Sequence, residues 1–139
     1  MGIVIGQPLN IAQGTITDSL FNFADSTPVP IITVNQPVYP LFFGLYFTDV
    51  TTNFEFNILP STIQLADKNT GNVFMLLDIA ASAVAESNSF INVIPFNAYR
   101  PSANNFPFVA PCSINLILST ALSVRGTGSI RYNFGYIYI

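Results

Sequence analysis

Short runs of β-branched and aromatic residues, cut roughly every 8–12 positions by proline, asparagine, aspartate or glycine, point this chain toward a stack of strands. The candidate strands are Ile11–Thr17, Val29–Val34, Leu41–Asp49, Asn53–Leu59, Thr62–Ala66, Asn72–Ile79, Ser89–Pro95, Ile114–Val124 and Ser129–Ile139. The polar stretch DKNTGN after Ala66 and RGTG at Arg125–Gly128 read as turns, with Gly71 free to take a positive φ. Most of the ten prolines flank the strands, as expected of a residue that cannot donate to a ladder. No long 3.6-residue pattern with caps is visible. The Ala- and Leu-rich segment Val73–Glu86 reads as a strand in its first half, with a short helix as the alternative for Ala80–Glu86. Eight or nine short strands in 139 residues predict a single all-β domain, a sandwich or barrel.

Alternation sharpens the reading. In FEFNI, Phe54, Phe56 and Ile58 are expected on one face, with Glu55 and Asn57 opposite. FFGLYF is apolar on both faces, so that strand is expected to be covered on both sides. The last segment, SIRYNFGYIYI, behaves similarly: Ile130, Tyr132, Phe134, Tyr136 and Tyr138 share one face, and Ile137 and Ile139 add grease to the other. Such a strand is either central in a sheet or sealed by a neighbouring chain, because exposed it would aggregate.

Charge is scarce. Four basic and seven acidic residues give a net charge of −3, and charged residues make up 8% of a chain that is 50% hydrophobic. A 15.1 kDa monomer exposes roughly 7,000 Å². That leaves about one charge per 600 Å², sparser than a well-solvated monomer carries. Coverage of much of the surface by other protein is the expectation. Lys68, Arg100, Arg125 and Arg131 are scattered, which argues against direct nucleic-acid binding. No run of 18 apolar residues is present, so no membrane-spanning helix is expected. The start, MGIVIGQPLN, lacks the basic and apolar regions of a secretory signal, and Gly6 stands where a myristoylation motif wants Ser or Thr.

Chemistry is hard to find. The chain has no histidine and one cysteine, Cys112, which removes Ser–His and Cys–His activation, an internal disulfide and a zinc ligand set. The seven carboxylates have no diagnostic spacing; Asp18, Asp25 and Asp49, if the fold brought them together, would offer loop oxygens to Ca²⁺. No cofactor is expected, and the chain reads as non-enzymatic. The long proline-bounded segment Pro95–Pro111 carries Phe96, Tyr99, Arg100, Phe106 and Phe108, an aromatic–arginine mixture typical of interface anchors. Tyr99, Arg100, Phe106 and Phe108, with Tyr132, Tyr136 and Tyr138 of the last strand, are the candidate interface residues.

Two segments resemble single jelly-roll structural proteins of icosahedral viruses and phages. FPFVAPCSINLILSTALSVRGTGSIRYNFGYIYI, Phe106–Ile139, is similar in layout to the end of small penton and minor capsid proteins: a proline-bounded strand, a long hairpin and an aromatic last strand. ADKNTGNVF, Ala66–Phe74, resembles their central hairpin turn. The closing tryptophan usual there is missing, and the apolar content is higher, which leaves penton, decoration and coat roles open. The resemblance implies an antiparallel jelly roll in residues 18–139, with residues 1–17 as an arm or first strand. It implies assembly with itself and with other structural proteins of a virion, and no catalysis. Two other readings stand beside it. One is an extracellular fibre or appendage subunit built by strand addition, with Met1–Gly6 filling a groove on the next copy. The other is a carbohydrate-binding sandwich, with Tyr99, Phe106 and Phe108 lining a cleft.

Overall fold

The structure is a computed structural model that describes residues 8–95 and 112–138. Ten strands and one short helix follow in the order β1 (Asn10–Thr17), α1 (Asp18–Phe21), β2 (Val29–Val34), β3 (Val38–Thr52), β4 (Phe54–Glu55), β5 (Ser61–Asp67), β6 (Val73–Ile79), β7 (Val84–Ala85), β8 (Phe90–Pro95), β9 (Cys112–Leu118) and β10 (Thr127–Tyr138). Eight of them form one antiparallel ladder in the order β1-β10-β3-β8-β6-β5-β9-β2. The ladder folds over at β8. Its Phe90–Val93 half pairs with β3, and Ile94–Pro95 pair with β6. This gives a first sheet, β1-β10-β3-β8, and a second, β6-β5-β9-β2. First strand lies beside last, and early strands alternate with late ones, which is the jelly-roll arrangement.

Alternation decides the core. Strand β9 buries every second residue, Cys112, Ile114, Leu116 and Leu118, against Ile63 and Leu65 of β5 and the inward residues Phe43, Leu45, Phe47, Ile130 and Phe134 of the first sheet. The apolar last strand is central: β10 lies between β1 and β3 along almost its whole length, so both its edges are paired within its own chain. Its inner face meets the second sheet, but its outer face is open at Arg131, and the outer face of β3 is open at Phe42, so the two-sided cover expected of both strands is not found within the monomer. Pro40 is accommodated in β3 because a register shift between Gly135 and Tyr136 of β10 falls beside it, where a missing N–H does least harm.

Several expectations are corrected. The strand expected over Asn53–Leu59 stops at Glu55, and Ile58, expected to share the buried face of Phe54 and Phe56, is 73% exposed. The strand expected to reach Val124 ends at Leu118, and Val124 makes an isolated bridge to Glu55. Ala80–Glu86 holds no helix; Ser82 adopts φ 58° and β7 follows it. The four-residue helix α1 has no counterpart among the expected elements. Its start follows directly from β1, and its purpose is visible in Phe21, which it places in the core.

Cys112 is buried, and burial together with the Asp67 carboxylate beside it pushes its thiol up to about 11. Burial likewise raises Tyr132 and Tyr136. These groups deprotonate at lower pH in the unfolded chain than in the folded one. Their contribution to stability is therefore complete below about pH 9 and declines as pH rises toward 11. A thiol reagent at about pH 8 is expected to label native Cys112 slowly and the urea-unfolded chain rapidly. Equal rates would contradict the burial.

Candidate interaction surfaces

The loops α1–β2, β3–β5, β6–β8 and β9–β10 gather at one end of the sandwich and pack into a cap. Phe21 is its hub. Its ring stands edge-on to Phe47 and Phe54 at 5.7 Å and to Phe56 at 6.4 Å. The side-chain amide of Asn22 binds Gly126 twice, donating to its carbonyl at 2.9 Å and accepting from its N–H at 3.1 Å. The Gly128 N–H donates to Asp18 Oδ2 at 3.1 Å. Gly126 has no room for a Cβ, because the Phe54 ring lies directly against it. Asn22→Ala is expected to cost about 1–3 kcal/mol in urea unfolding, since it strands two part-buried backbone groups of Gly126; a loss below about 0.5 kcal/mol would show that water replaces both bonds.

The outer layer of this cap is a small ribbon. Strands β4 and β7 pair Phe54 with Ala85 and Glu55 with Val84, and Val124 bridges to Glu55 from the other side. Phe54 and Ala85 face the core. Val84, Glu55 and Val124 form a row that faces out. Ile58 and Leu59 follow in the same loop, and Leu59 is 62% exposed. Leu20 of the neighbouring α1 and Phe23 in the loop just after it are both exposed.

The second surface is the outer face of the first sheet. Residues paired directly across adjacent strands point to the same side. One row is Thr15–Arg131–Tyr46–Phe90, the next Gln13–Asn133–Gly44–Asn92, and the next Ile11–Gly135–Phe42. Phe90 is 54% exposed and lies across Gly44; Phe42 lies across Gly135. Each glycine leaves a gap in the pleat that a neighbouring ring covers. Tyr46 is held by its hydroxyl, which donates to Asn88 Oδ1 at 2.8 Å. Between these side chains lies a shallow depression of about 500 Å³.

Among the described residues, ten large apolar side chains are exposed. Six (Leu20, Phe23, Ile58, Leu59, Val84 and Val124) are on the cap. Ile11, Phe42 and Phe90 are on the first sheet's outer face, and Leu9 immediately precedes β1. Two patches thus account for nine of the ten large apolar side chains exposed among the described residues.

Of the residues singled out in the sequence, Tyr99, Arg100, Phe106 and Phe108 lie outside the described residues, as do Phe96 and Met1–Gln7. Tyr136 is buried against Phe134, rings 5.3 Å apart. Tyr132 points between the sheets, stacks on Phe43 at 6.1 Å and donates from its hydroxyl to the Ile31 carbonyl at 3.0 Å. Tyr138 is half-buried, edge-on to Tyr136. Within the monomer, then, Tyr132 and Tyr136 pack against or within the chain's own core. Asp18, Asp25 and Asp49 are not brought together, and no cluster of three metal-ligating side chains forms among the described residues. Sequence reasoning missed the cap ribbon and the Phe42–Tyr46–Phe90 face, the two exposed apolar surfaces of the described residues. A signal for the second is present in the chain: glycine among aromatics in β3, on the same face as threonine and asparagine in its neighbours.

No protein-family model matches the chain, and no curated protein matches it. Among solved structures it is similar to a chain of the cyanophage Pam1 capsid asymmetric unit, with 13% identity and a TM-score of 0.49, covering 100% of this chain and 91% of that one. It is also similar to a chain of the Ralstonia phage GP4 capsid, with 10% identity and a TM-score of 0.47, covering 99% and 90%. A chain from Bacillus endospore appendages, a family of disulfide-linked pili, matches with 14% identity and a TM-score of 0.36, covering 100% and 98%.

Proposed function

We propose that this chain is a non-enzymatic structural subunit that assembles with itself and with other structural proteins, as a capsid, penton or decoration component of a virion. The observation that carries the reading is the pairing of sparse charge with two exposed apolar patches on a rigid jelly roll. Exposed apolar surface concentrated in patches marks contact sites, whereas singly scattered residues do not. The composition of the sheet face, with Phe, Tyr and Arg among uncharged polar residues, is that of an interface. A stable contact takes about 800 Å² from each partner, roughly a tenth of the 7471 Å² this chain exposes. The absence of histidine and the single buried cysteine leave the chain without the usual activators of a nucleophile.

An appendage subunit built by strand addition is the second reading, and one observation favours it. Strand β1 is the outermost strand of the first sheet, and its eight residues NIAQGTIT contain neither charge nor proline. Such an edge is open to a further strand. The segment Met1–Gly6 of a neighbour is the proposed donor.

Light scattering during size exclusion separates assembly from its absence. A discrete oligomer or larger particle is the expected result, and a monomer at all concentrations would overturn both readings. Removal of Met1–Gly6 distinguishes them. Strand addition requires that it abolish assembly, whereas contacts through the two patches survive it.

A further inference from the structure

We propose that the capped loop end of one copy seats on the outer face of the first sheet of the next, in a head-to-side contact that repeats from copy to copy. The inference rests on the self-assembly reading and specifies its geometry.

Charge selects this pairing. Helix α1 and the four loops of the cap hold four acids (Asp18, Asp25, Glu55 and Glu86) against one arginine, Arg125, whose guanidinium lies 4.1 Å over the Phe23 ring. The paired rows of the sheet's outer face contain a single charged residue, Arg131, and it is exposed. A two-fold contact of cap with cap would place acids against acids. A two-fold contact of sheet with sheet would place Arg131 near Arg131. Like charges facing each other across an interface are costly, and opposite ones fix the choice of partner. Cap against sheet brings the two signs together and covers both apolar patches at once.

The shapes agree with the charges. On the cap, Glu55 stands between Val84 and Val124 in one outward row. On the sheet, Arg131 stands in the row with Tyr46 and Phe90, beside the shallow depression. Glu55 facing Arg131 sets the valines beside the aromatic rings. Both platforms are pre-ordered, the cap by the Phe21 hub and the Asn22–Gly126 bonds, the sheet by the Tyr46–Asn88 bond. Little ordering entropy then opposes association. A contact between two different surfaces does not stop at two copies: it closes into a ring or continues as a filament.

Two charge reversals test this, read by light scattering over a concentration series. Glu55→Lys alone and Arg131→Glu alone are each expected to weaken association at least about tenfold. Both residues are exposed, so the thermal midpoint of each variant's monomer should match that of the wild type. Mixing the two variants is expected to restore association. The cap carrying the new lysine then meets the sheet face carrying the new glutamate, and the unchanged cap of one variant meets the unchanged face of the other. The double variant in one chain should likewise reassemble. An oligomeric wild type whose association neither reversal weakens would overturn the head-to-side contact and leave the assembly reading standing. So would weakened variants that neither mixing nor combining restores. A wild type that stays monomeric would overturn both.

Discussion

Phe21→Ala is expected to lower the free energy of unfolding by about 3–5 kcal/mol, the range for a buried phenylalanine whose cavity cannot collapse. The cavity here is held open from three sides. Phe47 belongs to β3, Phe54 to β4, and Phe56 to the loop after it, and all three meet the Phe21 ring in perpendicular contacts. None can swing inward without leaving its own strand or loop. Urea unfolding of the wild type and the variant gives the number. A Phe21→Leu variant should recover part of the loss, because it refills volume without the edge-to-face geometry. A loss below about 1 kcal/mol for Phe21→Ala would mean that the cap relaxes around the gap and is not the rigid platform described above. The variant carries a second expectation. If its cap loosens, association should weaken even under conditions where the sandwich remains folded, and hydrogen exchange should rise first in the β4–β7 ribbon.

Phe134→Ala is expected to cost a similar ~3–5 kcal/mol, for a different reason. Phe134 lies in β10, the strand that joins β1 to β3, and its ring packs on Phe43 at 6.5 Å and on Tyr136 at 5.3 Å. Its loss removes core from the middle of the first sheet. Tyr138, further along the same strand and half-buried, is the control: Tyr138→Ala should cost about 1 kcal/mol in the monomer, in keeping with a site that retains part of its solvent contact. Thermal and urea unfolding of the two variants should separate them clearly. If Tyr138→Ala proves as damaging as Phe134→Ala, the end of β10 is sealed more completely than the isolated chain indicates, and a neighbouring copy is the natural cover.

Much of the strand layout is legible in the sequence. Val29–Val34 coincides with β2, and the strands around Ile63, Met75 and Ile114 begin within two residues of their expected starts. The sequence reading does not single out the buried alternation of β9, although Ile114, Leu116 and Leu118 fall at every second position. These are local properties: a period of two, β-branched and aromatic residues, and turn residues between them. The misreadings also have local causes. Ile58 continues the alternation of Phe54 and Phe56, but the chain leaves the ribbon after Glu55, and no signal in that stretch reports the loss of a partner strand. Helix α1 is four residues long, too short for any periodicity, and it exists because Phe21 must reach the core.

The sequence by itself determined that the chain is built of β-strands, that it has no histidine to activate a nucleophile, and that it is poor in charge. Tertiary structure alone decided which strands are central. The apolar last strand was compatible with a sheet centre or with a neighbour's cover, because two-sided hydrophobicity states only that both faces are covered. Pairing with β1 and β3, segments from the other end of the chain, places that strand at the centre of the first sheet, with its outer face still open at Arg131. Tertiary structure likewise separated the aromatics that form the core from those left outside. Phe43 and Phe42 are adjacent in sequence and equally apolar, yet one is fully buried and the other covers a glycine on an open face. That difference depends on which side of the sheet the second sheet occupies, and it arises only when the ladder folds over at β8.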